Sequence, residues 1–238
     1  MSARLTIAII CAACLNSISG ADINGTIIVK HRLTKRNVTP VAGSYQRGVA
    51  VELGSGGHDD PLSYERAHVV VYLEGPLPSK PISATPIIAT MAQENRQFVP
   101  DLLVIPAGST VSFPNRDPIF HNVFSLSKSK AFDLGNYPKG QTRRVTFANP
   151  GIVLANCYLH PNMVAVIVVA PNQWYAKADK LGHFVLRDVP DGEYTIVAWH
   201  KTSGFFRRQV RVPSDASADV RFLIPLGEDG LAATVARK

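Results

Sequence analysis

The residues of this sequence best suited to chemistry lie in one short stretch, NCYLHPNM, at positions 156–163. Two residues separate Cys157 from His160, and two more separate His160 from Met163. A tight loop with this spacing can turn a thiol, an imidazole and a thioether toward one point. Side chains of these three types together favour a soft metal ion.

A fourth ligand must come from elsewhere in the chain, and His121 is the best candidate. It follows a turn punctuated by prolines and lies between two apolar, strand-like runs. Two histidines, one cysteine and a weakly held methionine form the set that selects copper in an electron-transfer geometry. Two alternatives remain open. One is zinc, although zinc sites rarely use methionine, and the other is plain core packing of Cys157 and Met163.

The first 20 residues, MSARLTIAIICAACLNSISG, have the sequence features of a secretory signal peptide. Arg4 precedes an apolar run of about a dozen residues, and small residues follow. A membrane-spanning helix is the alternative, but it needs about 20 apolar residues, and Asn16 interrupts this run. We therefore expect a periplasmic or secreted protein with no transmembrane segment once residues 1–20 are removed.

Removal of residues 1–20 also changes the number of cysteines in the mature chain. It takes away Cys11 and Cys14 and leaves Cys157 alone in an oxidising compartment. An intramolecular disulfide is then excluded, so Cys157 must be reactive, buried or metal-bound. Lipid attachment through Cys14 is a less favoured alternative, because Cys11 stands where such sites usually carry leucine.

Composition and net charge indicate how many domains the chain can form and which kinds of molecule it could bind. The chain has 238 residues and 46% hydrophobic content, which allows one or two domains with real cores. Its formal net charge of +7 favours acidic partners or anionic surfaces. No basic helix and no basic stripe interleaved with aromatic residues is present in the sequence, so we expect no nucleic-acid partner.

Short runs of β-branched and aromatic residues, separated by turn residues, predict an all-β protein. A proline-rich stretch at 74–85 predicts a boundary between folding units. The predicted strands are 22–31, 67–73, one near 48–53, 87–91, 102–105, 110–114, 122–125, 142–147, 151–157, 164–169, 182–186, 193–200, 205–212 and 219–224.

Residues 86–170 resemble the cupredoxins, the blue-copper fold of plastocyanin, azurin and amicyanin. The segments QFVPDLLVIPAGSTVSFPNRDPIFHNV, FDLGNYPKGQ and GIVLANCYLHPNMVAVIVVA carry the resemblance. It implies a Greek-key sandwich and one type 1 copper per chain, held by His121, Cys157, His160 and Met163. Asn122 resembles the cupredoxin residue whose side chain ties the two ligand-bearing loops together, although it could equally be a simple turn residue.

Residues 171–226 resemble the carboxypeptidase-regulatory-like module, a non-catalytic sandwich of immunoglobulin type, through ADKLGHFVLRDVPDGEYTIVAWHKTSGFFRRQVRV. The N-terminal β segment, 21–80, could supply missing strands of this second sandwich, so that the cupredoxin is inserted into it. Three consecutive units are the alternative, and 227–238 is expected to be a loose tail. The combination also resembles bacterial methylamine-utilisation and plastocyanin-like proteins.

These resemblances imply an electron carrier and not an enzyme, since the chain has no His-x-His pairs for a second copper cluster. The expected partner is a redox protein, such as a cytochrome or a dehydrogenase, with an acidic docking face. Ile119, Phe120 and Pro161 are candidates for an apolar docking patch beside His160. Copper storage or delivery, an envelope-associated scaffold, and an enzyme completed by a partner chain remain alternatives.

The remaining histidines show no ligand spacing among themselves, and we expect them at the surface or at strand ends. They are His31, His58, His68, His183 and His200.

Overall fold

The computed structural model describes residues 20–33, 60–75 and 85–225. The prediction of an all-β protein is confirmed, since strands form most of this part of the chain. The expected signal peptide, the strand near 48–53, His58 and the tail 227–238 lie outside the described residues.

In chain order the elements are β1 (Ala21–Val29), α1 (Ser63–Ala67), β2 (Val69–Glu74), β3 (Ile88–Thr90), β4 (Ala92–Glu94), β5 (Gln97–Val99), β6 (Leu102–Pro106), β7 (Ser109–Pro114), β8 (His121–Ser127), β9 (Lys130–Tyr137), β10 (Thr142–Phe147), β11 (Gly151–Asn156), β12 (Val164–Ala170), β13 (Tyr175–Lys177), β14 (His183–Val189), β15 (Gly192–His200), β16 (Gly204–Val212) and β17 (Ala218–Ile224).

Strand β17 illustrates why these residues form sheets. Its side chains alternate between the core and the solvent, so that Val220, Phe222 and Ile224 are buried while Asp219 and Arg221 are exposed. This period of two places every second residue on one face of a pleated strand. A sheet built in this way buries its apolar face against a second layer.

Two sheets combine strands from both ends of the described chain. One has the order β14-β1-β17, with β1 antiparallel to β14 and parallel to β17. The other has the order β13-β2-β15-β16. A shared apolar cluster lies between them and includes Ile23 and Ile27 from β1, Leu73 from β2, Ile196 from β15 and Phe222 from β17. Strands at the two ends of the sequence therefore share one core. The assignment of these sheets to an immunoglobulin-like module stays a prediction.

Two further sheets are formed by the central part of the chain. Their orders are β10-β7-β3 and β6-β12-β11-β8-β9, and the hairpin β4-β5 lies beside them. Their common core contains Phe113, Tyr137, Phe147 and Ile167, all fully buried, and it also contains Cys157. The cysteine loop therefore rests on the core of these sheets.

A third apolar cluster joins the two pairs of sheets. Tyr72 and Trp199, from β2 and β15, pack with Leu102 of β6 and with Val166 and Val168 of β12. Because these side chains are nearly or fully buried, the five-stranded sheet is covered on this face by the sheet that contains β2.

The sequence did not predict four short or polar strands, namely β4, β5, β9 and β13, or the five-residue helix α1. Strand β9 has only one fully buried residue, Tyr137, so its apolar pattern is weak. Among residues 20–33, 60–75 and 85–225, no helix is long and apolar enough to cross a lipid bilayer.

Candidate metal centre

The loop that joins β11 to β12 positions three of the four predicted ligands. Strand β11 ends at Asn156, which pairs with Phe124 of β8, and β8 itself begins at His121. The loop therefore passes over the first residue of β8. Inside the loop, the Met163 amide donates a hydrogen bond to the His160 carbonyl oxygen at 2.9 Å, which closes a tight turn.

The structure brings His121, Cys157 and His160 together. One ligand atom of each residue lies within 4.8 Å of the others. The Cys157 Sγ is 3.7 Å from the His160 Nδ1 and 4.0 Å from the His121 Nδ1. The two imidazole rings have their centroids 4.7 Å apart. His121 and Cys157 are buried, and His160 is partly exposed.

These separations match those of ligands that share one metal ion. In zinc sites, for example, metal–sulfur and metal–imidazole bonds are about 2.3 Å and about 2.0 Å long. At a trigonal angle of about 120°, such bonds place sulfur and nitrogen about 3.7 Å apart. The observed distances of 3.7 and 4.0 Å agree with this value. The donor set and its spacing therefore fit a soft metal ion.

Met163 and the thiol share an apolar environment. Cys157 is 3% exposed and Met163 is 1% exposed, and both belong to the core cluster of the central sheets. Cys157 is a free thiol. Burial keeps water away from both sulfur atoms, but it also agrees with ordinary core packing of Met163, so its role as a ligand stays a prediction.

Asn122 contacts the ligand loop through its backbone. Its amide nitrogen lies 3.5 Å from the Cys157 Sγ, in the position of a weak hydrogen-bond donor. Its side chain instead donates to the Asp133 Oδ1 on β9 at 2.7 Å. The backbone amide, and not the side chain, therefore makes the described link between the two ligand-bearing segments.

Asp117 is a functional candidate that we did not predict from the sequence. Its Oδ2 atom lies 2.7 Å from the Nε2 atom of His121, on the side of the ring opposite Cys157. The same carboxylate accepts hydrogen bonds from the backbone amides of Asn95 and Arg96, at 2.7 and 2.8 Å. An acidic residue four positions before a ligand histidine, in a proline-bounded loop, was the available signal.

The electrostatics favour a neutral imidazole at His160 and an ionised carboxylate at Asp117. Burial lowers the pKa of His160, and the nearby charges of His121 and Arg96 lower it further. Burial opposes ionisation of Asp117, but hydrogen bonds from Arg96, His121 and Asn95 outweigh it and hold the pKa below its ordinary value. A neutral imidazole is the form that binds a metal ion.

Exposed apolar side chains lie one or two positions in sequence from the two candidate ligand histidines, His121 and His160. Phe120, Tyr158 and Leu159 are 56%, 59% and 45% exposed. Pro161 is also exposed, whereas Ile119 is partly buried. Tyr158 stacks on Phe124, with ring centroids 3.6 Å apart. Phe120 therefore lies at the surface and not in the core, as a docking patch requires.

Two other histidines pair with carboxylates. His200 lies at a strand end, as expected, since it is the last residue of β15. His200 is fully buried, and its Nε2 lies 3.2 Å from the Oε2 of Glu65, which is also buried. The Nε2 of His68 lies 3.0 Å from the Oδ1 of Asp101. These pairs join residues 135 and 33 positions apart, so local spacing could not reveal them. His31 and His183 are exposed, as predicted.

Comparisons with known proteins find similarity only among solved structures. No protein-family model and no curated protein matches the sequence. A Cu-containing nitrite reductase from Thermus scotoductus SA-01 aligns with 25% identity over 40% of this chain and 27% of that protein, with a TM-score of 0.34. A purple cupredoxin from Nitrosopumilus maritimus aligns with 25% identity over 34% of this chain and 98% of its own, with a TM-score of 0.31. The Cu(I) form of a methionine-to-alanine mutant of amicyanin aligns with 21% identity over 42% of this chain and 97% of its own, with a TM-score of 0.33.

These three solved structures are cupredoxins or contain copper. Their TM-scores of 0.31 to 0.34 are too low to assign a fold or a function to this chain. The candidate centre rests on its own geometry. It combines a buried thiol, a buried imidazole and a partly exposed imidazole around one point. Such an arrangement can hold a soft metal ion in a dry pocket with one ligand edge open to the surface.

Proposed function

We propose that this chain is a type 1 copper protein that carries electrons, with His121, Cys157, His160 and Met163 as the ligands of one copper ion. The observation that carries the proposal is the convergence of the His121, Cys157 and His160 ligand atoms within 4.8 Å. Methionine as the fourth, weak ligand favours copper over zinc. When bound, copper would supply a one-electron redox couple.

The burial of the ligands favours electron transfer over metal delivery. His121, Cys157 and Met163 are each at most 3% exposed, and the sheets on either side hold them in place. Ligands fixed in this way change position little between two oxidation states, which suits fast electron exchange. A delivery protein must instead release its ion, and this pocket opens mainly at the edge of His160.

The surface beside His160 supports docking of a protein partner. Phe120 and Leu159 offer apolar contact, and the exposed Arg96 is near enough for its charge to lower the pKa of His160. Apolar patches rimmed by charge often mark partner sites. The partner that fits is a redox protein with an acidic docking face, and in this role the chain is not an enzyme.

We also propose the domain organisation and the location expected from the sequence. Residues 86–170 would form the copper-binding unit, inserted into an immunoglobulin-like sandwich built from 21–80 and 171–226. The pairing of β1 with β14 and β17 supports the insertion. Export to the periplasm or the exterior rests on the signal-like segment 1–20.

The test of the metal centre is a visible absorption spectrum of the purified, copper-loaded protein. An intense blue charge-transfer band is expected for the wild type, because a Cys157 thiolate bound to Cu(II) absorbs strongly. Cys157→Ser should remove the band. Asn162→Ser, an exposed change in the same loop, is the control and should keep it. A colourless wild type that has demonstrably bound copper would refute the type 1 assignment.

The reduction potential and the electron self-exchange rate separate electron transfer from storage or delivery. A reversible couple with fast self-exchange supports the carrier. A slow and poorly reversible couple, in a protein that does bind copper, would favour storage or delivery instead.

A further inference from the structure

The carboxylate of Asp117 is buried and fully engaged. Asp117 is 6% exposed. Its Oδ1 accepts the amide of Asn95 at 2.7 Å, and its Oδ2 accepts the amide of Arg96 at 2.8 Å. The His121 Nε2 lies 2.7 Å from the same Oδ2. An ionised carboxylate can only accept hydrogen bonds, so the hydrogen in this contact belongs to Nε2.

This contact determines which nitrogen of His121 is available. With the hydrogen on Nε2, the neutral ring has its lone pair on Nδ1. The Nδ1 atom is the one that lies 4.0 Å from the Cys157 Sγ. The available lone pair is therefore on the side of the ring that faces the candidate centre.

Asp117 is itself held firmly from two sides. Asn95 and Arg96 form the two-residue turn of the β4-β5 hairpin and have φ values of 54° and 55°. This left-handed backbone points both amides at the carboxylate, in the manner of a type I′ turn. On the other side, the Asp117 amide donates to the Asn115 Oδ1 at 2.9 Å. The carboxylate therefore connects a hairpin turn to a metal ligand.

We propose that Asp117 is a positioning residue of the metal centre, which fixes the tautomer and ring orientation of His121 and increases the basicity of its Nδ1 atom. This inference rests on the proposed function. A carboxylate partner of a ligand histidine raises the donor strength of the imidazole. A stronger donor favours oxidised over reduced copper, so Asp117 would hold the reduction potential below the value that a neutral partner would allow.

The first test needs no metal and therefore stands apart from the copper assignment. Long-range ¹H–¹⁵N NMR of the imidazole groups in metal-free protein reports the tautomer of each neutral histidine. His121 should be in the Nε2–H form in the wild type, and a substantial Nδ1–H population should appear in Asp117→Ala. Asp117→Leu, which has a similar size but no acceptor oxygen, serves as the second variant if the alanine variant folds poorly.

Asp101→Asn is the matched control, because Asp101 also pairs with a histidine, His68, away from the centre. It should leave the His121 signals unchanged. If His121 keeps identical ¹⁵N shifts and a pure Nε2–H form in folded Asp117→Ala or Asp117→Leu, neither of which has an acceptor oxygen at this position, the proposal is overturned, whether or not the wild type binds copper.

The second test uses the copper-loaded protein. Loss of an outer partner of a ligand histidine typically lowers metal affinity by about 10- to 100-fold, and we expect a loss of this size for Cu(II) in Asp117→Ala, measured by chelator competition. If Cu(II) loses about tenfold more affinity than Cu(I), the reduction potential rises by about 59 mV. Asp117→Asn should also raise the potential. Potentials that are unchanged in both variants would contradict the proposed effect on His121.

Discussion

Gly25 lies directly opposite Phe184 in the antiparallel pairing of β1 with β14. The Phe184 ring covers this glycine so closely that a Cβ atom at position 25 would collide with the ring. Phe184 is buried and also lies beside Phe222, with ring centroids 6.4 Å apart. The glycine thus provides the space in which an aromatic side chain of the C-terminal half packs on the N-terminal strand.

Gly25→Ala is expected to destabilise the protein by about 1–3 kcal/mol, because the added methyl group overpacks a filled core. Urea unfolding followed by circular dichroism measures the change. The same Gly25→Ala change is also made in a Phe184→Leu variant, whose smaller side chain leaves room for the added methyl group. The wild type and Phe184→Leu are thus the two backgrounds compared. If Gly25→Ala costs the same free energy in both backgrounds, the contact between the two strands is not the cause.

Met163→Leu tests whether the buried thioether contacts the metal. Leucine has nearly the same volume, so the free energy of unfolding of the metal-free protein should change by less than about 1.5 kcal/mol. The axial ligand tunes the potential of a type 1 copper site, so the reduction potential should rise while the blue band remains. Voltammetry of the copper-loaded protein checks this. An unchanged potential would make Met163 a core residue only.

Asp101 makes the stability of the metal-free protein depend on pH in the acid range. The hydrogen bond from His68 lowers the pKa of Asp101 to about 2, against partial burial. Because the folded-state pKa lies below the unfolded value of about 3.8, the native state is favoured above pH 4, and this contribution is lost as the pH falls toward 2. The side chain is 47% exposed, so screening limits the effect to about 1 kcal/mol or less.

Urea unfolding of wild type and Asp101→Asn at pH 7 and at pH 2.5 measures this contribution. The stability difference between the two proteins should be largest at pH 7 and clearly smaller at pH 2.5, which lies between the unfolded and folded pKa values. A difference in stability that is equal at both pH values would show that the carboxylate charge is not responsible.

Glu65→Ala is expected to cost about 1–3 kcal/mol, because it removes the carboxylate partner of the buried His200 Nε2 and leaves that polar atom unsatisfied in the core. The two side chains are each 1% exposed and 3.2 Å apart. Arg211→Ala is the control, since Arg211 pairs with Asp191 at 2.8 Å on the surface with 60% and 42% exposure. Breaking that pair should cost at most about 1 kcal/mol. Similar costs for the two variants, measured by urea unfolding, would contradict the importance of burial.

The strands that could be predicted from the sequence are those with a strong apolar pattern. Strand β12, VAVIVVA, is almost wholly buried, and β10 was predicted with its observed bounds. The β4-β5 hairpin was missed because its turn, Asn95-Arg96, contains no glycine to indicate a positive φ. Strand β9 was missed because its side chains are mostly exposed and apolar residues are few.

The candidate centre could be predicted only where the ligands are close in sequence or chemically distinctive. Cys157, His160 and Met163 share a seven-residue loop, and His121 was the remaining suitable side chain. Asp117 was not predicted, because its role depends on the turn amides of Asn95 and Arg96, about 20 positions away. Its place four positions before His121 in a proline-bounded loop is a weak signal until those partners are known.

The pairing of β1 with β14 and β17 has a consequence for synthesis on the ribosome. The first partner strand of β1, which is β14, begins about 150 residues after β1 ends, and such non-local pairing is slow. At about 5–20 residues per second, a nascent chain holds β1 without a partner for on the order of 10–30 s. An unpaired strand is a template for aggregation. Chaperone binding to residues 21–29 during this interval would therefore matter for the yield of folded protein.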